Sequence, residues 1–401
     1  MPGPLAGVSV VEIGVWVAGP AAGGVLADWG ADVVKIEPPG IGDPARTFSR
    51  MLGADLPWNP IFENDNRSKR SIALDLGKRE SREIAFELCD RADVFVTNVR
   101  PAALARLGLD HATLLGRNPR LIYGLITGYG TEGPDADKAA YDIAGYWARS
   151  GLAGLLTTPG HHPPFQRGGM GDHTSGQSLA GGIAAALFHR ERTGKGQLVM
   201  TSLLRQGLYT ISFDLSVAVR YGVGMAVANR ATMGNPCINN YRDCDGKWFW
   251  IVGLEGERHW PPLARAVGHA EWIDDPRFAT PQARAQNAGV LIGELDRIFA
   301  TRSRDDWGKI FDAERDLWWA PVQTVDEVMA DPQVHAAGGF VDVPDGQSTT
   351  KLPATPVDFG GTPWAPRSMA PEHGQHTDEI LAELGRTPVQ IAALRASGAA
   401  G

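Results

Sequence analysis

The sequence predicts an α/β protein in which a mostly parallel sheet is wrapped by helices and joined to a smaller α+β domain. Two observations carry that expectation. As far as residue 126, short β-branched runs alternate with helix-like segments over short connections, the pattern of parallel strands and crossover helices. Near residue 225 the pattern changes to turn residues, an aromatic strand and a run of helices. A chain of 401 residues is long enough for two such domains. The expected division is 1–225 for the larger domain, 226–320 for the smaller, and 321–401 for a return segment that completes the larger one.

Residues 8–13 are apolar and β-branched, a first strand, and 21–29 form the helix after it. DVVKI at 32–36 is the second strand, stopped by Glu37-Pro38-Pro39, and 71–76 the third. Residues 78–91 have amphipathic helical spacing and lead into DVFVTN, a buried strand at 93–98. Short helices follow Arg100-Pro101, and LIYGLI at 121–126 is another strand. Small and apolar residues at helical spacing cover 175–192, with basic residues before Gly194 to end the helix. In the smaller domain 247–252 is the aromatic strand, with helices to about Glu314; strands return after Pro321 and a last helix covers 378–384. Trp248, Trp250, Trp260, Trp272 and Trp307, with Trp318 and Trp319 beyond, read as core or as the wall of an apolar pocket.

The formal net charge of -8 implies no broad basic face and argues against a nucleic-acid partner. An anionic ligand would therefore need local Arg, Lys or backbone N–H groups. Cys89, Cys237 and Cys244 are too few for a disulfide scaffold, which suits a reducing cytoplasm; Cys237 and Cys244 lack the close His or Cys neighbours of a metal site. The apolar stretch VSVVEIGVWVAGPAAGGVLA is interrupted by Glu12, Gly and Pro and has no preceding Lys or Arg. It reads as a buried strand entering a helix, not as a signal peptide or membrane span. Nucleotide fingerprints are not expected: GVWVAGP lacks the G-x-G-x-x-G spacing, and Thr193-Gly194-Lys195-Gly196 lacks the rest of a P-loop.

Chemistry concentrates in GGMGDHTSG at 168–176. Thr174 and Gln177 have capping-box spacing, which would put Asp172 two residues ahead of a helix, ionised at pH 7 beside the positive end of the dipole. Gly168, Gly169 and Gly171 would leave backbone N–H groups open to an approaching molecule. A carboxylate beside free donors can attack an acyl carbon while the donors hold the oxyanion. The same residues also read as a turn with an Asp at a helix start. A triad of Asp172, His173 and Ser175 is not expected, since sequence neighbours rarely converge that way and G-x-S-x-G is absent; His173 reads as a surface or packing residue.

Several segments occur in one order: LAGVSVVEIGVWVAGPAAGGVLADWGADVVKIEPPGIGDPAR, NRSKRSIALDL, ADVFVTNVRPAALARLGL, NPRLIYGLITGYGTEGP, the GD-x-x-SG segment at Asp172, RTGKGQ, APVQTVDEVMADPQV and GQHTDEILAELG. In these the chain resembles the class III CoA-transferases, the CaiB–BaiF group, over nearly its whole length. The resemblance implies a Rossmann-like larger domain, a homodimer of interlocked rings, and transfer of CoA from an acyl-CoA to a carboxylic acid. Both are substrates, and no permanently bound cofactor, metal or membrane partner is implied. In the family an aspartate attacks the donor thioester to give a mixed anhydride, CoA thiolate converts it to an aspartyl-CoA thioester, and the acceptor acid completes the exchange. Asp172 matches that aspartate. Val17, Ala18, Leu74, Asp75, Lys78, Asn98, Val99 and Arg100 fall on segments that line the family's CoA site. Arg106 matches a basic residue that meets the CoA phosphates, and Lys138 is a further counterpart, as phosphates require cations.

Two departures bear on substrate. Pro38 stands where some members carry an Arg near the adenine, and the glycine-rich loop of the formyl-CoA:oxalate enzymes is not recognisable at 225–240, so oxalate and formate are not expected. The alternative within the fold is an α-methylacyl-CoA racemase, which moves a Cα proton with a His–Asp pair. Here Tyr141 stands where that His precedes Asp142, and HTSG replaces the racemases' phenylalanine and glycines. A phenol, titrating near ~10, is a poor base at neutral pH; Glu255 or His259 would have to serve. A non-catalytic CoA-binding protein would have no use for the surroundings of Asp172.

Overall fold

A computed structural model describes residues 3–48, 53, 59–224, 227 and 229–401. It divides into two compact units: a larger one of Met1–Leu156, Pro163–Met225 and Ala337–Gly401, and a smaller one of Thr157–His162 and Ala226–Ala336. The smaller unit therefore extends past the boundary expected at 320. The reason is that Trp319–Pro321 is the third strand of its sheet, so the chain turns back only at Ala337. Residues 225, 226 and 228, at the other expected boundary and in the region read for a glycine-rich loop, lie outside the described residues.

In the larger unit β1 (Ser9–Ile13), β2 (Asp32–Glu37), β3 (Arg70–Ala73), β4 (Val94–Thr97), β5 (Ile122–Thr127) and β6 (Gln197–Ser202) form one sheet in the order β3-β2-β1-β4-β5-β6. Every pairing is parallel. This is doubly wound topology, with the winding reversing between β1 and β4. Val10 stands beside Val33 and Val94, and these with Ile122 face α1 (Ala18–Asp28) and the long helix Met170–Thr193. The alternate residues Val11, Val34, Phe95 and Tyr123 face the opposite layer, where Ile84, Ala85, Leu104, Ile380 and Leu381 cover them. Burial on both faces explains why the inner strands read as near-continuous apolar runs.

The sixth strand was not expected from the sequence. β6 is an edge strand with only Ser202 fully buried, and Gln197, Thr201 and Ser202 dilute its apolar signal. The opposite edge, β3, is covered by the chain's return. His376 N–H donates to Ser71 O at 2.9 Å, Gly401 N–H to Ala73 O at 3.0 Å, and Leu74 bridges Ala400. A covered edge offers no open row of peptide groups for pairing with another chain.

The smaller unit is a three-stranded antiparallel sheet of β7 (Ile238–Arg242), β8 (Trp248–Val252) and β9 (Trp319–Pro321), with helices on one face. Trp260, Trp272 and Trp307 are core residues there with Phe249, Phe299 and Phe311, whereas Trp248 and Trp250 point to the other face of β8 and Trp318 is exposed. His259 is buried, with Nδ1 2.8 Å from Asp316 O and its ring against Trp318. That withdraws His259 as a mobile base. Among the described residues no helix is long and apolar enough to cross a membrane. The apolar character of α1 has another cause: all eleven of its residues are buried, with Asp28 paired to Arg67 at 2.6 Å.

Candidate active site

The winding reversal leaves a crevice at the carboxyl ends of β1 and β4, the usual ligand site of such a sheet. Asn98, just after β4, closes it on one side. Its Oδ1 accepts from Val15 N–H at 2.9 Å and its Nδ2 donates to Val15 O at 2.8 Å, so the two loops are pinned together. Gly19 makes room for this, since a β-carbon there would stand 2.8 Å from Asn98 Oδ1. Val17 and Ala18, at the start of α1, thus share the crevice with Asn98, Val99 and Arg100. Leu74, Asp75 and Lys78 follow β3 among the last residues of the chain: Leu74 is buried, Asp75 N–H donates to Ala399 O, and the Lys78 ammonium is held by the Ser397 carbonyl. Arg106 is exposed in the last turn of the helix Pro101–Leu107. Lys138 is exposed in the loop after β5, 3.9 Å from Asp135.

Asp172 lies elsewhere in its helix than the sequence suggests. The helix, α4, following α2 (Pro60–Asn66) and α3 (Pro101–Leu107), runs Met170–Thr193 and starts from Gly169 in a left-handed conformation at φ 80. Thr174 is therefore inside the helix and caps nothing. Its Oγ1 donates back to the carbonyls of Met170 and Gly171 at 3.0 and 3.1 Å, the usual use of a mid-helix hydroxyl. Asp172 sits in the first turn.

The glycines also have different uses from the expected one. Gly171 N–H is already spent on Asp142 Oδ2 at 3.1 Å, and a β-carbon at 171 would stand 2.2 Å from both Asp142 Oδ1 and Tyr146 Cγ. Gly169 lies under the His173 ring, whose Cε1 would be 2.8 Å from a β-carbon. Gly176 lets α4 cross α1 backbone to backbone: a β-carbon there would be 2.9 Å from Ala21 Cβ and from Ala22 N. Gly168 alone has open space around it.

Asp172 is partly buried, and the expectation that it is fully ionised at pH 7 does not hold. Burial raises its pKa most, the carboxylates of Asp142 and Asp65 add to this, and His173 opposes, leaving it at about 7. The helix dipole favours the charge but does not outweigh two facing carboxylates and lost solvent. Nor is His173 a plain surface residue. Its Nε2 lies 3.0 Å from Oδ1 of Asp65, which is 3% exposed on α2. Burial works against the imidazolium, but the bond to Asp65 and the charges of Asp65 and Asp172 raise it to about 9.

Behind Asp65 the sheet carries charges that the sequence reading passed over. Glu12 binds Lys35 at 2.8 Å and Lys69 at 2.7 Å, and Lys35 reaches Asp43 at 2.9 Å, all four side chains being buried. Burial opposes the Glu12 charge, yet the two lysines hold it below the usual carboxylate range; burial lowers Lys69 to about 8. Asp43 in turn accepts from Trp16 N–H at 2.9 Å. Trp16 has φ 64, a strained value for a bulky residue, and its ring meets Tyr141 edge-on with centroids 6.0 Å apart. The one signal for this set in the sequence is the placing of Glu12 and Lys35 inside otherwise apolar strands. A cavity of about 630 Å³ opens beside Asp65 and His173, bounded by α1, α4 and 353–356. Among the described residues no group of three His, Cys, Asp or Glu is placed to hold a metal; Cys237 is buried and Cys244 exposed.

Known proteins share this chain's fold and much of its sequence. The model of CoA-transferase family III matches residues 5–377. The (R)-2-hydroxy-4-methylpentanoate CoA-transferase of Clostridioides difficile is 31% identical over 385 residues, covering 95% of each chain. The cinnamoyl-CoA:phenyllactate CoA-transferase of Clostridium sporogenes is 31% identical over 391 residues, 96% of this chain and 94% of the relative. A crystal structure of a CaiB/BaiF family protein from Brucella suis superposes with a TM-score of 0.84 at 31% identity, over 96% of this chain and 100% of that one. With sequence and fold agreeing across almost all of its length, the chain belongs to CoA-transferase family III and is a class III CoA-transferase.

Proposed function

We propose that the protein transfers CoA from an acyl-CoA to a carboxylic acid through covalent intermediates on Asp172. The carboxylate attacks the thioester carbonyl and expels CoA thiolate, giving a mixed anhydride. The thiolate then attacks the aspartyl carbonyl and releases the donor acid, leaving an aspartyl-CoA thioester. The acceptor carboxylate repeats these two steps in reverse. The observation that carries the reading is Asp172 itself, a partly buried carboxylate in the first turn of α4 with glycines on both sides in sequence. CoA would lie along Val17, Ala18, Leu74, Asp75, Lys78, Asn98, Val99 and Arg100, with Arg106 and Lys138 as cations for its phosphates.

Asp172→Ala and Asp172→Asn are expected to abolish transfer and leave CoA affinity nearly intact. The assay is a mass-spectrometric screen of acetyl-, succinyl- and isobutyryl-CoA against a panel of carboxylic acids. Trapping with hydroxylamine should mark residue 172 as a hydroxamate, and near wild-type turnover by either variant would remove the proposal. The assembly in this reading is a homodimer of interlocked chains, which sedimentation at low concentration checks; a folded, active monomer would refute it.

Proton exchange at Cα is a second reading, favoured by one observation: a carboxyl raised to about 7 is also what a proton-transfer site needs. Incubation with isobutyryl-CoA in D₂O separates the two. Transfer predicts no deuterium at Cα and a new acyl-CoA only when an acid is added; rapid exchange without added acid would reverse the choice.

A further inference from the structure

We propose that His173, anchored by Asp65, is a positioning residue for Asp172: it holds a fixed positive charge beside the nucleophile and so sets the fraction of it that can attack. The inference rests on Asp172 being that nucleophile. Three features fix the ring. Its Nε2–H donates to Asp65 at 3.0 Å, and its edge lies against Gly169, where the left-handed turn and missing side chain make the seat. Asp65 is itself buried, and its backbone packs closely on α1, where a β-carbon on Gly24 would stand 2.8 Å from the Asp65 carbonyl oxygen. Asn64 Nδ2 donates to the same Asp65 oxygen at 3.0 Å.

The charges around the pair fix the sign. Asp172 faces Asp142 from just before the helical turn Ile143–Ala148, Asp65 from α2, and His173 from its own helix. His173 faces Asp65 and Asp172, and behind Asp65 the Lys69 ammonium is paired with Glu12. Removing the imidazolium leaves Asp172 before two carboxylates, so its ionisation moves to higher pH. Removing Asp65 takes away the group that keeps His173 charged, so the imidazole loses its proton at lower pH.

Kinetics and NMR together test this. With the donor and acid that turn over fastest in the screen above, kcat/KM of the wild type should rise through pH about 7 and level off, because Asp172 stays ionised once His173 loses its proton near 9. In His173→Gln that rise should move up by about one pH unit, a loss of about fivefold at pH 7 and almost none at pH 9. In Asp65→Asn the His173 proton should come off at lower pH, read by ¹³C NMR of labelled histidine. Lost packing alone would lower the rate at every pH without moving the rise. Because coupling is reciprocal, the His173 resonance of ¹³C-histidine-labelled protein should titrate about one unit lower in Asp172→Asn than in wild type, with no substrate present. An unmoved rise in His173→Gln, or an unmoved His173 titration in Asp172→Asn, would overturn the inference. Turnover by Asp172→Asn would instead overturn the nucleophile. His173 has a 48% exposed side chain, so Gln is accommodated, and thermal melts of each variant check the fold.

Discussion

Asp172→Asn should make the protein more stable while making it inactive, and the gain should depend on pH. In the folded chain the carboxyl titrates at about 7 against an ordinary 3.8. At 1.36 kcal/mol per pH unit that difference is roughly 4 kcal/mol, and solvent screening of a partly exposed group brings it to about 2 kcal/mol. The sign follows from proton binding. The native state holds this proton where the unfolded chain has lost it, so wild-type stability falls as pH rises from about 4 to about 7. The penalty is absent below that window and complete above it. Asparagine keeps the shape and has no charge to desolvate. Urea denaturation of both proteins at equal concentration, at pH 4 and pH 8, measures the gap: near zero at pH 4 and about 2 kcal/mol in favour of Asp172→Asn at pH 8. A gap independent of pH, or a variant less stable at pH 8, would refute the argument that burial and facing carboxylates strain this residue. With Asp172 as the proposed nucleophile, the result would mean that the surroundings the chemistry needs cost the fold stability.

Three other substitutions probe the framework. Gly176→Ala sets a methyl 2.9 Å from Ala21 Cβ and Ala22 N, so α1 and α4 must part; the expected cost is about 1–3 kcal/mol in urea unfolding, with a fall in transfer rate. Lys69→Met leaves buried Glu12 with Lys35 as its remaining ammonium partner and should cost about 3–5 kcal/mol, read from the same denaturation curves. Asn98→Ala removes two hydrogen bonds that pin Val15, each worth about 1 kcal/mol, and should weaken CoA binding in calorimetry by about tenfold; unchanged affinity would separate that loop from the CoA site.

The sheet was legible in the sequence because its inner strands are buried on both faces, which forces apolar β-branched runs such as 32–36 and 121–126. β6 was not, because an edge strand needs no such run. Asp172 could be singled out because three glycines crowd it, yet its helical register could not. Thr174 and Gln177 have capping spacing, while the actual cap, Gly169, works through a left-handed backbone that leaves no side-chain signature. The partners of Asp172 were illegible for another reason. Asp65 and Asp142 reach Asp172 and its neighbour His173 from α2 and the turn before Ile143–Ala148, and single-sequence spacing carries no information on contacts so far apart in the chain. The buried charges had a signal that went unread, Glu12 and Lys35 at inward positions of neighbouring strands.

The covering of β3 by the chain's return imposes a schedule on synthesis. The strand is made by residue 73, but Gly374, His376 and Gly401, which close its edge, emerge about 300 residues later. At ~5–20 residues per second that is about 15–60 s in which a strand edge and the apolar side chains of Ile72 and Leu74 have no cover. The smaller unit, nearly all of it contained in Ala226–Ala336, is made and can condense within that interval. The larger unit cannot close until the ribosome has delivered Gly401. Nascent chains of this protein are thus open to strand-edge pairing from the synthesis of residue 73 until residues 374–401 are delivered.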